Sequence, residues 1–147
     1  MKDVTTQIEI NSYPSVVWKI LTDFSTYEQW NPFIHRIVGE PKEGTKINIY
    51  IETPAGKSRK YSPTITKVER ERELRWLGKS LLPRILDGEH IFTLEELSPG
   101  RVLFTQREVF GGLLSSAFGK SLDVDVKQGL EEMNNALKKR AERISHK

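Results

Sequence analysis

Apolar residues recur every three or four positions along the last third of the chain, over residues 115–144. They are Phe118, Leu122, Val126, Leu130, Met133, Leu137, Ala141 and Ile144. Charged residues fill the opposite face, so the pattern predicts an amphipathic helix. A helix of about thirty residues is roughly 45 Å long. Its apolar stripe needs a large apolar surface from the rest of the chain, and we expect the half from Leu130 to Ile144 to clamp the fold.

One strand and two short helices are predicted near the start of the chain. Residues 4–10 alternate between apolar and polar, as in a strand with one face in solvent. Pro14 suits the first turn of a helix over residues 14–22, and Ser12 is its expected N-cap. A second, shorter helix reaches Trp30 and ends there, because the residue before a proline avoids the α region.

Period-two alternation then continues from residue 33 to residue 110. It predicts strands over residues 33–39, 45–53, 58–68, 73–79, 86–97 and 101–110. Pro63 within the third of these indicates a bulge or an edge position, with Tyr61 and Ile65 on the inner face. The connections are short, so consecutive strands form an antiparallel sheet. With the first strand, the pattern predicts an α+β fold in which a curved sheet of about seven strands is covered by the long helix.

Composition and charge limit the classes of function. The 147 residues carry 23 Lys and Arg against 20 Asp and Glu, a net charge of +3 with the two signs interspersed. We expect a single domain over residues 1–147 and no nucleic-acid interface. No apolar run approaches the ~18 residues of a membrane span, so we expect a cytoplasmic protein without stable membrane insertion.

Cysteine and histidine usage gives no sign of a metal or redox centre. The chain has no cysteine, which excludes disulfides and thiolate chemistry. His35, His90 and His146 do not have the spacing of metal ligands. We therefore expect no metal and no cofactor.

Several segments together resemble a known superfamily. They are Phe-Ser-Thr-Tyr-Glu-Gln-Trp-Asn-Pro-Phe-Ile at 24–34, Glu-Leu-Arg-Trp-Leu-Gly at 73–78, Gly-Glu-His-Ile-Phe-Thr-Leu-Glu at 88–95, Gln-Arg-Glu-Val-Phe-Gly-Gly at 106–112 and residues 129–138. The whole chain resembles the START-like (SRPBCC) superfamily, in particular its polyketide cyclase/dehydrase and lipid-transport branch. The resemblance implies a helix-grip fold with a hydrophobic cavity between sheet and helix. It also implies binding of lipids, sterols or polyketides, with cyclisation or dehydration in a minority of members.

Three polar residues are predicted to point inward from neighbouring strands. Gln106 and Glu108 are two apart and share a face, and a hairpin about Pro99 places His90 opposite one of them. A histidine beside a buried carboxylate can act as an acid/base pair. The same pair can instead satisfy a polar spot in the interior or anchor a ligand. Glu108 is the best single candidate for orienting a ligand.

Aromatic residues accumulate on the predicted inner faces and at the short helices. They are Trp30, Phe33, Trp76, Phe92, Phe104, Phe110 and Phe118. Each one alone is explained by a core position, but one helix and one curved sheet leave volume that aromatic side chains can line as a cavity. We expect Phe92, Phe104 and the adaptable Met133 to face that cavity. Leu130 and Leu137 are expected in the core.

Two connections are unusually apolar, over residues 81–86 and 110–118. They either surround the opening of the cavity, where they could contact a membrane or a donor surface, or pack inward on the helix. The sequence leaves both interpretations open.

Three functions fit these observations. The first is binding or carrying of a small hydrophobic molecule, with His90 and Glu108 as polar anchors. The second is a cyclase or dehydratase that uses the same two residues as acid and base. The third is a protein-interaction module with an incidental cavity. The residues favour a binder over an enzyme, and no pattern in the sequence indicates an oligomeric state.

Overall fold

The computed structural model describes residues 2–56, 58–78, 87–111 and 119–145. The elements are β1 (Lys2–Ile10), α1 (Pro14–Thr22), a 3₁₀ turn (Phe24–Thr26), α2 (Tyr27–Trp30), β2 (Ile34–Val38), β3 (Asn48–Glu52), β4 (Ser58–Tyr61), β5 (Thr64–Glu69), β6 (Glu73–Gly78), β7 (Asp87–Ser98), β8 (Arg101–Gly111) and α3 (Gly119–Ser145). This order confirms the predicted α+β fold, with two short helices after the first strand and a long helix at the end.

The strands form two antiparallel sheets that together make one curved surface. A five-stranded sheet has the order β1-β8-β7-β6-β5, and a three-stranded sheet has the order β2-β3-β4. An isolated antiparallel bridge between Lys46 and Thr64 joins them. The Ile65 N–H also donates to the Thr45 carbonyl at 2.9 Å, so the backbone is hydrogen-bonded where the sheets meet.

The prediction of one continuous strand over residues 58–68 is wrong. The structure has two strands there, β4 and β5. Pro63 has no N–H to give to a strand ladder, so pairing stops there. Its carbonyl instead accepts a hydrogen bond from the Ile47 N–H at 2.9 Å. The first half pairs with β3 and the second half pairs with β6. Pro63 therefore separates the two sheets, and the described residues form eight strands where about seven were predicted.

The long helix packs on the five-stranded sheet along β1 and also contacts α1. Leu130, Met133, Leu137 and Ala141 are completely buried on its inner side, at the predicted spacing. Ile144 is 48% exposed, so the part of the stripe that clamps the fold ends at Ala141 and not at Ile144 as expected. Residues 115–118, where we expected the helix to begin, lie outside the described ranges.

The short helices position Phe33 at the start of β2. Helix α1 has the predicted bounds, but its N-cap residue is Tyr13, which makes no capping side-chain hydrogen bond. Ser12, the expected cap, is buried before it. After α2, the side-chain oxygen of Asn31 accepts hydrogen bonds from the N–H groups of Phe33 and Ile34, each at 2.9 Å. This local turn directs Phe33 toward α3.

A cluster of aromatic rings lies within the core. Trp76 is fully buried, with its ring edge-on to Phe92 at 4.9 Å and to Phe24 at 6.3 Å between centroids. Phe104 is also fully buried and stacks on Phe92 at 6.1 Å. None of the helices in the described ranges is long and apolar enough to span a bilayer.

Candidate functional site

A cavity of about 420 Å³ lies where the three-stranded sheet, the ends of β6 to β8 and helix α3 meet. Its apolar lining consists of Phe33, Ile51, Phe110 and Val126. Its polar lining includes Thr53, Arg59, Tyr61, His90 and Glu108. The volume falls within the range of roughly 300–1,000 Å³ that is typical of small-molecule sites.

His90 and Glu108 form the polar centre of this cavity. They are direct partners in the β7–β8 register, which resolves the choice that the sequence left between Gln106 and Glu108. His90 Nδ1 lies 3.0 Å from Glu108 Oε2. The imidazole ring stacks on Phe92 at 4.0 Å between centroids, so its plane is fixed by packing. The His90 side chain is 2% exposed and that of Glu108 is 13% exposed, so the carboxyl group is the more accessible of the two.

A chain of hydrogen bonds continues from His90 into the core. Gln106 Oε1 lies 2.9 Å from His90 Nε2. Gln106 Nε2 donates to Asn134 Oδ1 at 2.7 Å and to the Leu130 carbonyl at 3.2 Å. Asn134 Nδ2 in turn donates to Thr6 Oγ1 at 3.0 Å. The chain connects four elements, because His90 belongs to β7, Gln106 to β8, Asn134 to α3 and Thr6 to β1.

Asn134 and Thr6 were not among the site residues predicted from the sequence. Asn134 lies four residues after Leu130 and three before Leu137, so it occupies the apolar stripe of α3. A polar residue at such a position must find a partner when the stripe is buried. That signal was available, and it pointed to a polar group on the facing sheet.

Two paired glycines make room for polar groups at the cavity wall. Gly78 and Gly88 face each other across β6 and β7. A β-carbon at Gly78 would lie 3.3 Å from the ring of Tyr61, and one at Gly88 would lie 3.3 Å from Glu108 Oε1. The missing side chains therefore leave space that the Tyr61 ring and the Glu108 carboxyl occupy.

Tyr61 contributes a hydroxyl that stays protonated. Burial raises the pKa of the Tyr61 hydroxyl strongly, and the nearby Glu108 carboxylate raises it further. Tyr61 was predicted on the inner face but was not among the candidate site residues. It reaches the site because β4 belongs to the second sheet, which closes over the ends of β6 and β7.

The predicted aromatic residues divide between the cavity surface and the layer behind it. Phe33 and Phe110 line the cavity. The structure places the fully buried Trp76, Phe92, Phe104 and Met133, together with the polar Gln106, in the core and not on the lining. Trp30 packs edge-on against Tyr27 at 5.0 Å between ring centroids. Phe118 and most of the two apolar connections lie outside the described ranges.

A second groove lies on another side of the molecule, between α1, the β5–β6 turn and the end of α3. Its volume is about 710 Å³, and it is lined by Val16, Trp18, Arg70, Arg140 and Ile144 among others. Its walls carry exposed charges of both signs, such as the ion pair between Arg70 and Glu71. It contains no buried polar pair, so we place the candidate site in the smaller cavity.

The described residues offer no cluster of three or more His, Asp or Glu side chains that could hold a metal ion. The described lining of the cavity offers hydrogen-bonding groups, the Glu108 carboxyl group and apolar side chains.

Comparison with known proteins places the chain in a family. A family model described as polyketide cyclase/dehydrase and lipid transport matches residues 1–142. The chain belongs to this family. The superfamily resemblance noted in the sequence is thereby confirmed. A comparison with curated proteins found no match.

Solved structures share the fold at low sequence identity. A START superfamily protein from Mycobacterium smegmatis has a TM-score of 0.76 at 18% identity, over 97% of this chain and 98% of the other. The Zhui aromatase/cyclase from Streptomyces sp. R1128 has a TM-score of 0.78 at 15% identity, over 97% and 94%. The di-domain aromatase/cyclase StfQ of the steffimycin pathway has a TM-score of 0.74 at 12% identity, over 99% of this chain and 52% of that chain. At these identities the likeness shows the fold alone.

Proposed function

We propose that this protein binds a small hydrophobic molecule in the cavity between the two sheets and α3. The observation that carries the proposal is a cavity of about 420 Å³ with apolar walls. At its inner end His90 and Glu108 are hydrogen-bonded to each other. Apolar walls supply most of the binding free energy of such sites, and a few placed polar groups fix orientation.

Some residues of the cavity wall supply affinity, and others fix the orientation of the ligand. Phe33, Phe110 and Val126 offer apolar surface from three different elements. Glu108 and Tyr61 offer a carboxyl and a hydroxyl group to a polar atom of the ligand. The aromatic layer behind them, with Phe92 stacked on His90, holds the polar groups in place.

Mass spectrometry of the protein purified from its source organism tests this proposal. We expect organic extraction to release a stoichiometric apolar molecule from the wild-type protein. Val126→Trp should fill the cavity from the helix side and abolish the co-purified molecule while the protein stays folded by circular dichroism. The same molecule recovered in equal amount from both proteins would place binding elsewhere and contradict the proposal.

A second candidate function is acid/base catalysis on the bound molecule, and the Glu108 carboxyl group is the observation that favours it. Aromatase/cyclases occur among the structural neighbours, although at 15% and 12% identity. Glu108→Gln separates the two functions, because the amide keeps the shape and hydrogen-bonding capacity of the carboxyl group but cannot carry a transferable proton. Unchanged affinity with lost turnover would establish an enzyme. No turnover in the wild-type protein of a molecule that it binds would leave a carrier.

A further inference from the structure

The position of one hydrogen atom in the polar chain is fixed by a backbone carbonyl. Gln106 Nε2 lies 3.2 Å from the Leu130 carbonyl oxygen, and that oxygen can only accept. The amide nitrogen of Gln106 must therefore face Leu130, which directs Oε1 toward His90 Nε2 at 2.9 Å. Because an amide oxygen also only accepts, His90 Nε2 must carry a hydrogen.

This constraint determines the charge of the His90–Glu108 pair. If the imidazole is neutral, its single hydrogen is on Nε2, and Nδ1 accepts from a protonated Glu108 carboxyl at 3.0 Å. If the imidazole is charged, Nδ1 donates to the Glu108 carboxylate. A carboxylate facing a bare Nδ1 would place two acceptors 3.0 Å apart and leave both unsatisfied. In either permitted arrangement the pair shares one proton and has no net charge.

The cavity contacts this neutral pair through Glu108. His90 has both ring nitrogens occupied and a side chain only 2% exposed. Glu108 Oε1 lies beside Gly88, which has no side chain of its own to cover it. The Tyr61 hydroxyl on the neighbouring wall is also neutral, because burial raises its pKa. Two cationic side chains of β4, Arg59 and Lys60, also contribute to the lining, and both are exposed. The Lys60 ammonium group lies over the Tyr50 ring, 5.4 Å from its centroid.

We propose that the inner wall of the cavity selects a neutral polar group, a hydroxyl or a carbonyl, on an otherwise apolar molecule. Glu108 contacts that group, and His90, Gln106 and Asn134 are positioning residues that hold the shared proton in place. A carboxylate or an ammonium ion would find no net opposite charge at this inner wall and would lose its hydration. This inference rests on the proposed function and names the class of ligand for the same site.

Proton NMR of histidine labelled with nitrogen-15 tests the proton position without any ligand. We expect the His90 ring to show a hydrogen bonded to Nε2 in the wild-type protein, with the signal assigned by its loss in His90→Gln. A His90 ring with hydrogen on Nδ1 alone would overturn the inference. Gln106→Leu removes the acceptor at Nε2, so we expect that variant to mix the two tautomers. A single unchanged tautomer in Gln106→Leu would show that Gln106 does not position the proton.

Three matched probes test the ligand class by isothermal titration calorimetry: naphthalene methanol, naphthylmethylammonium and naphthoate. All three are measured in the Arg59→Gln background, so that the exposed cation does not attract the carboxylate. We expect the alcohol to bind most tightly and to lose at least about fivefold in affinity in Glu108→Ala, where its partner is gone. Glu108→Gln should retain most of the affinity, because the amide still offers a donor and an acceptor.

The outcomes separate this inference from the proposed function. Tightest binding of the ammonium or the carboxylate probe would overturn the neutral-group inference and leave the binding function intact. Failure of all three probes to bind would contradict both.

Discussion

The ring of Phe33 lies directly against the backbone of Gly129 in α3. A β-carbon at Gly129 would overlap the ring atoms Cδ1 and Cε1 of Phe33 and would lie 3.0 Å from Cγ. Glycine at this helical position therefore allows a close approach between the start of β2 and the helix that forms one wall of the cavity.

Gly129→Ala should destabilise the protein, although alanine in a helix interior is normally favoured over glycine by about 1 kcal/mol. We expect a net loss of about 1–3 kcal/mol in the free energy of unfolding, because the added methyl group overpacks the contact. Denaturant unfolding measures it. Gln128→Ala, at the exposed neighbouring position, is the control and should change stability by less than about 0.5 kcal/mol. In a Phe33→Leu background the penalty should shrink, and an equal penalty in both backgrounds would contradict this contact.

Trp76→Ala should be among the most damaging substitutions in the core. The side chain is completely buried between Phe24 and Phe92, so we expect a loss of about 3–5 kcal/mol. Leu97→Ala is a control on the next strand, since Leu97 is 41% exposed. Equilibrium unfolding in urea gives both values. A loss below about 1 kcal/mol for Trp76→Ala would contradict the placement of Trp76 on the inward face of β6.

Tyr61 and Tyr27 should give the protein an alkaline limit to its stability. Burial raises the pKa of both hydroxyls, helped by the Glu108 carboxylate at Tyr61 and the Asp23 carboxylate at Tyr27. The unfolded chain ionises them near pH 10, so the stability that they contribute is complete below about pH 10 and is lost as the pH rises above it. Ultraviolet absorbance of phenolate follows this ionisation.

The test compares wild type with Tyr61→Phe in a titration of the folded protein up to about pH 11, one unit above the ordinary tyrosine pKa. We expect identical absorbance changes, because Tyr61 does not ionise in that range. The same titration in denaturant is the control, and there the variant should show less phenolate. A smaller signal for the folded variant would show that Tyr61 is accessible to hydroxide.

Arg59→Gln should affect ligand binding and not stability. Arg59 is exposed on the cavity lining and pairs with no acidic side chain of the described residues. Its removal should change the free energy of unfolding by less than about 0.5 kcal/mol. The affinity for naphthoate should fall several-fold, because the carboxylate can reach Arg59 from the open side of the cavity. Arg101→Gln, an exposed arginine paired with Glu9 away from the cavity, should leave naphthoate binding unchanged.

The sequence predicted most of the fold because the local patterns agree with one another. The stripe of α3 and the alternation of β7 and β8 were both visible in the sequence. The predicted hairpin register placed His90 opposite either Gln106 or Glu108, and the structure pairs it with Glu108. Pro63 was predicted to mark a bulge or an edge position, but not the point where one sheet ends and another begins. That distinction depends on the pairing of β5 with β6. The local pattern of apolar positions does not specify which strands pair.

The cavity was harder to predict than the core for a physical reason. The sequence pattern of large aromatic residues such as Phe92 and Phe104 is the same whether they lie in the core or on a cavity wall. The structure places both behind the lining. The lining depends on absent side chains at Gly78 and Gly88 and on Tyr61 from the second sheet. Such features follow from the distance between elements, which a pattern of apolar positions does not contain.

The location of a bound apolar molecule is the most direct test of the account. The measurement is intermolecular nuclear Overhauser effects between naphthalene methanol and the methyl groups of the protein. We predict contacts to the methyl groups of Ile51 and Val126, which line the cavity beside Glu108. Contacts to Val16 and Ile144, in the second groove, or no contacts at a saturating concentration of the probe, would contradict binding in the cavity beside Glu108.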